Sequence, residues 1–148
     1  MSIADERSPF LRAHYLWAAG DFDGFMKLFA EGIIYIVNVD GLQVPYAISS
    51  VGKQDLRDRL ELLLHTFVVT TFALEKLVHE ADHSCSVVHG VYRHKKTGEV
   101  LDVTLRFRGW VENGVLTRME EIHDARYIEA FERFVFFMES AAHQIVPQ

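Results

Sequence analysis

The sequence predicts a single α+β domain over residues 1–148. Three observations carry that prediction. Apolar residues recur at helical spacing before residue 30, again after Gly52, and again after Asp124. Between Val68 and His123 the apolar period shortens to two. Asn113-Gly114, the strongest short hairpin signal, separates two of those alternating runs. Helices first, strands next and a helix last is an α+β order, not an alternating βαβ one.

The elements follow in order. Leu11, Tyr15 and Ala18–Ala19 share a helical face, and Gly20 is placed to end that helix as a C-cap. Asp21 is placed to cap a second, short helix with apolar positions Phe22, Phe25, Met26 and Phe29. Gly32 is expected to stop it, and Ile33–Val39, rich in β-branched residues, reads as a strand bounded by Asp40-Gly41. Leu42–Ser49 contains Pro45 and reads as an edge or irregular strand. From Gly52, the stripe Leu56, Leu60, Leu63 and Leu64 predicts a third helix, with Lys53, Asp55, Arg57, Asp58 and Arg59 largely on its other side. Four strands follow: Val68–Val78, Ser84–His94, Val100–Val111 and Val115–His123. In the third, Leu101, Val103, Leu105, Phe107 and Val111 alternate with Asp102, Thr104, Arg106, Arg108 and Trp110. A long helix from Asp124 to about Ala142 closes the chain, with Phe136 and Phe137 outside its main apolar stripe. One clean apolar sheet face implies helices packed on that face.

Composition narrows the function classes. A chain of 148 residues that is 49% hydrophobic can bury a sizeable core and is not an intrinsically disordered protein. A net charge of −6 argues against nucleic-acid binding, which needs a cationic surface. No run approaches the 18 apolar residues of a membrane span, and Met1–Arg7 has no apolar run behind it, so neither a membrane partner nor a targeting peptide is expected. The expected setting is cytoplasmic. The single Cys85 excludes an internal disulfide and reads as a half-buried strand thiol. His79 and His83 are four apart but bracket a predicted turn, so no metal site is expected, and no phosphate loop or dinucleotide fingerprint implies a cofactor.

Three strings in order resemble the NTF2-like superfamily, in its SnoaL-like and ketosteroid-isomerase-like branch. They are Ala19-Gly20-Asp21-Phe22-Asp23 with Leu28-Phe29-Ala30, Val44-Pro45-Tyr46-Ala47 with Gly52-Lys53, and Asn113-Gly114-Val115-Leu116 with Glu121-Ile122-His123-Asp124-Ala125. Ile48 departs from the glycine usual in the second string. The resemblance implies a curved sheet wrapped round helices into a cone with an apolar pocket, commonly dimeric. It implies no single activity, because this fold hosts isomerases, cyclases and non-catalytic binders.

The isomerase apparatus does not carry over. Its strand-one aspartate falls on Val37 or Asn38, its helix-one tyrosine near Ala13 with Tyr15 a half-turn away, and its second acid near Thr104 or Asp102. The cyclase-like aspartate at the end of the last strand falls on Asp124. Period-two alternation sets Met119, Glu121 and His123 on one face beside it. The expected catalytic set is therefore Asp124, His123 and Glu121, although Asp124 serves equally as the cap of the last helix, and Glu121 could instead pair with Arg106 or Arg118. Tyr35, Asn38, Tyr46, His89, Met119 and Trp17 are the expected ligand-binding residues. Two readings stay open: a cofactor-independent isomerase, lyase or cyclase acting on a small apolar or aromatic molecule, and a non-catalytic binding module. A homodimer is expected in either case.

Overall fold

The computed structural model describes residues 7–38 and 48–122, together with Arg133, Phe136, Phe137 and residues 139–141, which are helical. Helix α1 (Ser8–Ala18) begins with Pro9, whose fixed φ suits a first turn. It turns a different face inward from the one its aliphatic residues predict. Phe10, Ala13, His14 and Trp17 are buried, whereas Tyr15 is 60% exposed. The helix carries two stripes at i, i+3/i+4 spacing, and the one holding Phe10 and Trp17 buries more apolar area. Gly20 follows with φ 76°, a left-handed stop.

Helix α2 (Phe22–Met26) is capped by Asp21, whose carboxylate accepts from the Gly24 N–H at 2.9 Å. Phe29 does not extend it. Instead Phe29 opens strand β1 (Phe29–Val37), and Gly32 lies inside that strand rather than at a helix end. Only Ser50–Val51 forms β2 beside it; most of the predicted Leu42–Ser49 segment, with Pro45 and Tyr46, lies outside the described residues. Helix α3 (Lys53–Thr66) buries Leu56 and Leu60, with Leu63 and Leu64 half-buried against the core, as its stripe predicts. It also buries Arg59, which the charge pattern had placed outside.

The four remaining strands are β3 (Phe67–His79), β4 (Ser84–His94), β5 (Val100–Glu112) and β6 (Val115–Ile122). The β5–β6 turn has Asn113 at φ 52° and Gly114 at φ 81°, the two positive values that a twisted two-residue hairpin requires. The sheet runs β2-β1-β6-β5-β4-β3, antiparallel throughout except for the parallel β1–β6 pair. Register shifts in β3 after Val69 and Leu74, and in β6 at Thr117 opposite Trp110 and Val111, insert extra residues of the kind that bend a strand. The result is a mixed α+β cone: a curved, unclosed sheet with α1 and α3 on its concave face. That face carries Val88, Val103, Leu105, Phe107, Leu116 and Met119, all buried. No described helix is long and apolar enough to cross a membrane.

Candidate functional site: a polar pole in an apolar cavity

Strand register decides what the cone encloses. Glu121 of β6 lies opposite Val37 of β1 and Phe107 of β5, and Phe107 lies opposite Ser86 of β4. One row down, Tyr35 pairs with Met119. Residues paired across strands share a face, so Tyr35, Met119, Glu121 and Phe107 all point into the concavity. A cavity of about 100 Å³ lies there, roofed by Ala13, His14 and Trp17 of α1 and by Arg59, Leu60 and Leu63 of α3. Most of its wall is apolar or aromatic.

One end is polar. The Tyr35 hydroxyl donates to Glu121 Oε1 at 3.2 Å. The Arg59 guanidinium sits 4.7 Å from the Tyr35 ring centroid, and its Nε donates to Ser50 Oγ at 3.0 Å. Burial, and then the charge of Glu121, hold the Tyr35 phenol well above its ordinary value, with Arg59 pulling the other way. Tyr35 is therefore a protonated donor at any working pH. Tyr92 of β4 shares this environment: burial first, then the charge of Glu121, push its phenol up, with Trp17 pulling the other way.

The opposite wall carries His14. Its Nδ1 lies 2.7 Å from the Phe10 carbonyl and its Nε2 lies 2.7 Å from Ser86 Oγ. A carbonyl can only accept, so Nδ1 holds the proton of the neutral ring and Nε2 accepts from Ser86. Burial lowers the His14 pKa below its ordinary value, consistent with its edge contacts to Phe10 at 4.8 Å and Phe107 at 5.7 Å.

Of the residues expected from sequence, Glu121, Tyr35, Met119 and Trp17 line this cavity together. Asn38 follows β1 and is exposed, its backbone N–H donating to the Glu121 carbonyl at 3.2 Å. Tyr46, His123 and Asp124 lie outside the described residues. His89 lies on the other side of the sheet: it alternates with the buried Val88 and Gly90, and its Nε2 meets Asp102 on the outer surface at 2.8 Å. Arg106 and Arg118 fall on that outer face too, where Arg118 binds Glu120 rather than Glu121, at 2.9 Å. Tyr15, Asp102 and Thr104 are likewise absent from the cavity wall.

Sequence reasoning missed Arg59, His14 and Tyr92. Each had a signal. Arg59 stands at i+3 from Leu56 inside the apolar stripe, His14 at i+4 from Phe10, and Tyr92 on the same strand face as Val88. Among the described residues, no group of three His, Cys, Asp or Glu side chains is placed to hold a metal ion.

Comparison with known proteins agrees with this architecture. The model of the SnoaL-like domain matches residues 10–119. No curated protein sequence matches the chain. Among solved structures, a SnoaL-like protein from Mesorhizobium loti, provisionally assigned as a polyketide cyclase, is 22% identical with a TM-score of 0.66; the match covers 83% of this chain and all of that one. TerC, co-crystallised with polyporic acid, is 12% identical with a TM-score of 0.71, covering 85% of this chain and 96% of the other. A protein of ketosteroid-isomerase-like fold from Catenulispora acidiphila, bound to trimethylamine, is 11% identical with a TM-score of 0.66, covering 82% and 89%. At these identities the structural likeness speaks for the fold.

Proposed function

This chain belongs to the SnoaL-like domain family, and on that premise we propose that it holds a small apolar or aromatic molecule in its cone and moves a proton on it without a cofactor. The observation that carries the reading is Glu121: a carboxylate on the wall of a mostly apolar cavity, held by the Tyr35 hydroxyl. A carboxylate so placed can take a proton from a bound molecule, and apolar burial supplies the affinity while a few polar groups fix orientation. Cavity size bounds the ligand. A cavity of roughly 150 Å³ holds benzene, so about 100 Å³ with an open side suits one ring rather than several. His123 and Asp124, two and three positions after Glu121, are the rival acid/base groups in this proposal.

The binding-module reading rests on a specific observation as well. The strand-one position where related isomerases carry their base falls on Val37, which is buried, or on Asn38, and neither side chain can take the proton. We further propose a homodimer, because Phe136 and Phe137 are 76% and 59% exposed and Trp110 stands on the outer sheet face.

The experiment begins with native mass spectrometry of the purified protein, to recover a bound molecule, followed by turnover assays on it. Glu121→Gln should cut kcat/KM by a hundredfold or more while the protein still folds and binds. If Glu121→Gln retains turnover and Asp124→Asn loses it, the proton passes through Asp124. Turnover unchanged in both variants would end the acid/base reading, and binding without any turnover would leave the module.

A further inference from the structure

The polar end of the cavity holds two groups of opposite kind, both in contact with one phenol. Strand pairing puts them there. Tyr35 lies opposite Ser50 of β2 on one side and Met119 of β6 on the other, with Glu121 two residues along β6 from Met119. The Tyr35 hydroxyl donates to Glu121 Oε1 at 3.2 Å, and the Arg59 guanidinium lies over the Tyr35 ring, 4.7 Å from its centroid. Ser50, itself buried, accepts from Arg59 Nε at 3.0 Å and fixes the side chain's course. Arg59 and Glu121 both line the cavity. A guanidinium carries five N–H donors, no acceptor, and a positive charge at any working pH. A carboxylate presents about four acceptor sites. One partner exhausts neither group, so a molecule in the cavity meets a donor and an acceptor at the same end.

We propose that Arg59 and Glu121 together set the substrate class: an uncharged single-ring molecule that presents an acceptor oxygen and an N–H or O–H donor side by side, as a carboxamide does. The proposal deepens the function proposed above and rests on its cavity. The ligand oxygen faces the guanidinium, whose planar fork suits a carbonyl, and the ligand donor faces Glu121. Rejection comes from the same two groups. A carboxylate ligand would set its lone pairs against those of Glu121, and an ammonium ligand would set its charge against Arg59. A ring with no polar atom would bond to neither. The ring itself packs on Trp17, Phe72 and Phe107 of the wall.

The test uses ligand-observed NMR titration of the full chain with benzamide, benzoate, benzylamine (a cation at neutral pH) and toluene. Wild type should bind benzamide more tightly than each of the other three, and about tenfold or more above toluene, the size of one hydrogen bond to a charged group. Removing either partner should then redirect the preference. Glu121→Gln should weaken benzamide and strengthen benzoate, which Arg59 now receives unopposed. Arg59→Met should weaken benzamide and strengthen benzylamine, which Glu121 now receives. Toluene affinity should hold in both variants, with the fold checked by circular dichroism. A merely structural role would weaken all four ligands together and overturn the assignment. In wild type, which decides the matter even if a variant fails to fold, tightest binding of benzoate or benzylamine would overturn the uncharged class. Benzamide no tighter than toluene would overturn the proposal and leave the cavity reading intact. Binding of none of the four would overturn the single-ring cavity itself, and this proposal with it.

Discussion

Gly109→Ala is a sharp test of how α1 is seated on the sheet. Gly109 lies on the concave face of β5, opposite Met119 of β6. A methyl group there would overlap Phe10 Cδ1, stand 2.6 Å from Phe10 Cε1 and lie 3.0 Å from Met119 Sδ. Carbon atoms in contact rest about 3.5–4.0 Å apart, so the Phe10 ring would have to withdraw by about 1 Å. It has nowhere to go: Phe10 is fully buried, and its ring abuts the His14 imidazole at 4.8 Å. Overpacking of this kind costs about 1–3 kcal/mol, and the gain of Ala over Gly in a strand offsets roughly 0.5–1 kcal/mol. The net loss should be about 1–2 kcal/mol, a fall in Tm of roughly 2–8 °C for a domain of this size. Urea unfolding measures it, and a double-mutant cycle assigns it. In a Phe10→Leu background the methyl has room, so the two changes should couple favourably by about 1 kcal/mol. A Gly109→Ala protein as stable as wild type, or a cycle additive within about 0.5 kcal/mol, would refute the claim that a bare backbone at position 109 is what lets α1 approach.

Two further outcomes follow from the same coordinates. The pKa of His14 lies below its ordinary 6.5 in the folded chain, so the unfolded chain takes up this proton first. Stability should therefore fall as pH drops below about 6.5, and stop falling once the folded ring also titrates; His14→Gln should flatten that part of the stability–pH curve, and an unchanged slope would show that His14 is not its source. Light scattering at micromolar concentration should give a dimer that Phe136→Asp and Phe137→Asp together convert to monomer; a monomeric wild type would remove the dimer proposal.

Much of the fold was legible because local signals agreed with one another. The β4, β5 and β6 spans match the alternation to within a residue, and Asn113-Gly114 turns as its chemistry requires. What misled was competition between signals of equal kind. Helix α1 offers one stripe through Leu11 and Tyr15 and another through Phe10 and Trp17, and spacing alone does not rank them; the buried area of the aromatics does. Phe29 stands at helical spacing from Phe25 and Met26, yet its backbone pairs with Leu116 of the parallel β6, a contact 87 positions away that no local window contains. In the site, alternation placed Met119 and Glu121 on one face. Arg59 was not legible, because a charge in a helix is normally a solvated one.

Arg59 also bears on what the cavity is for. It occupies the position in the Leu56–Leu60–Leu63 stripe where a further leucine would pack, and it is 7% exposed. Taking a guanidinium out of water costs several kcal/mol before its contacts repay any of it, and a hydrophobic residue in such a place is often neutral or stabilising. Folding alone therefore gives little reason for an arginine there. Ser50 and the Tyr35 ring hold it in one orientation. Its charge opposes that of Glu121 at the Tyr35 hydroxyl. An arginine held in this way sets a fixed positive charge at the polar end of the cavity, over the ring of the tyrosine whose hydroxyl bonds to Glu121. The local rule that α3 breaks is thus broken at the cavity wall, within reach of the groups that would handle a proton, which is where a chain gives up stability for chemistry.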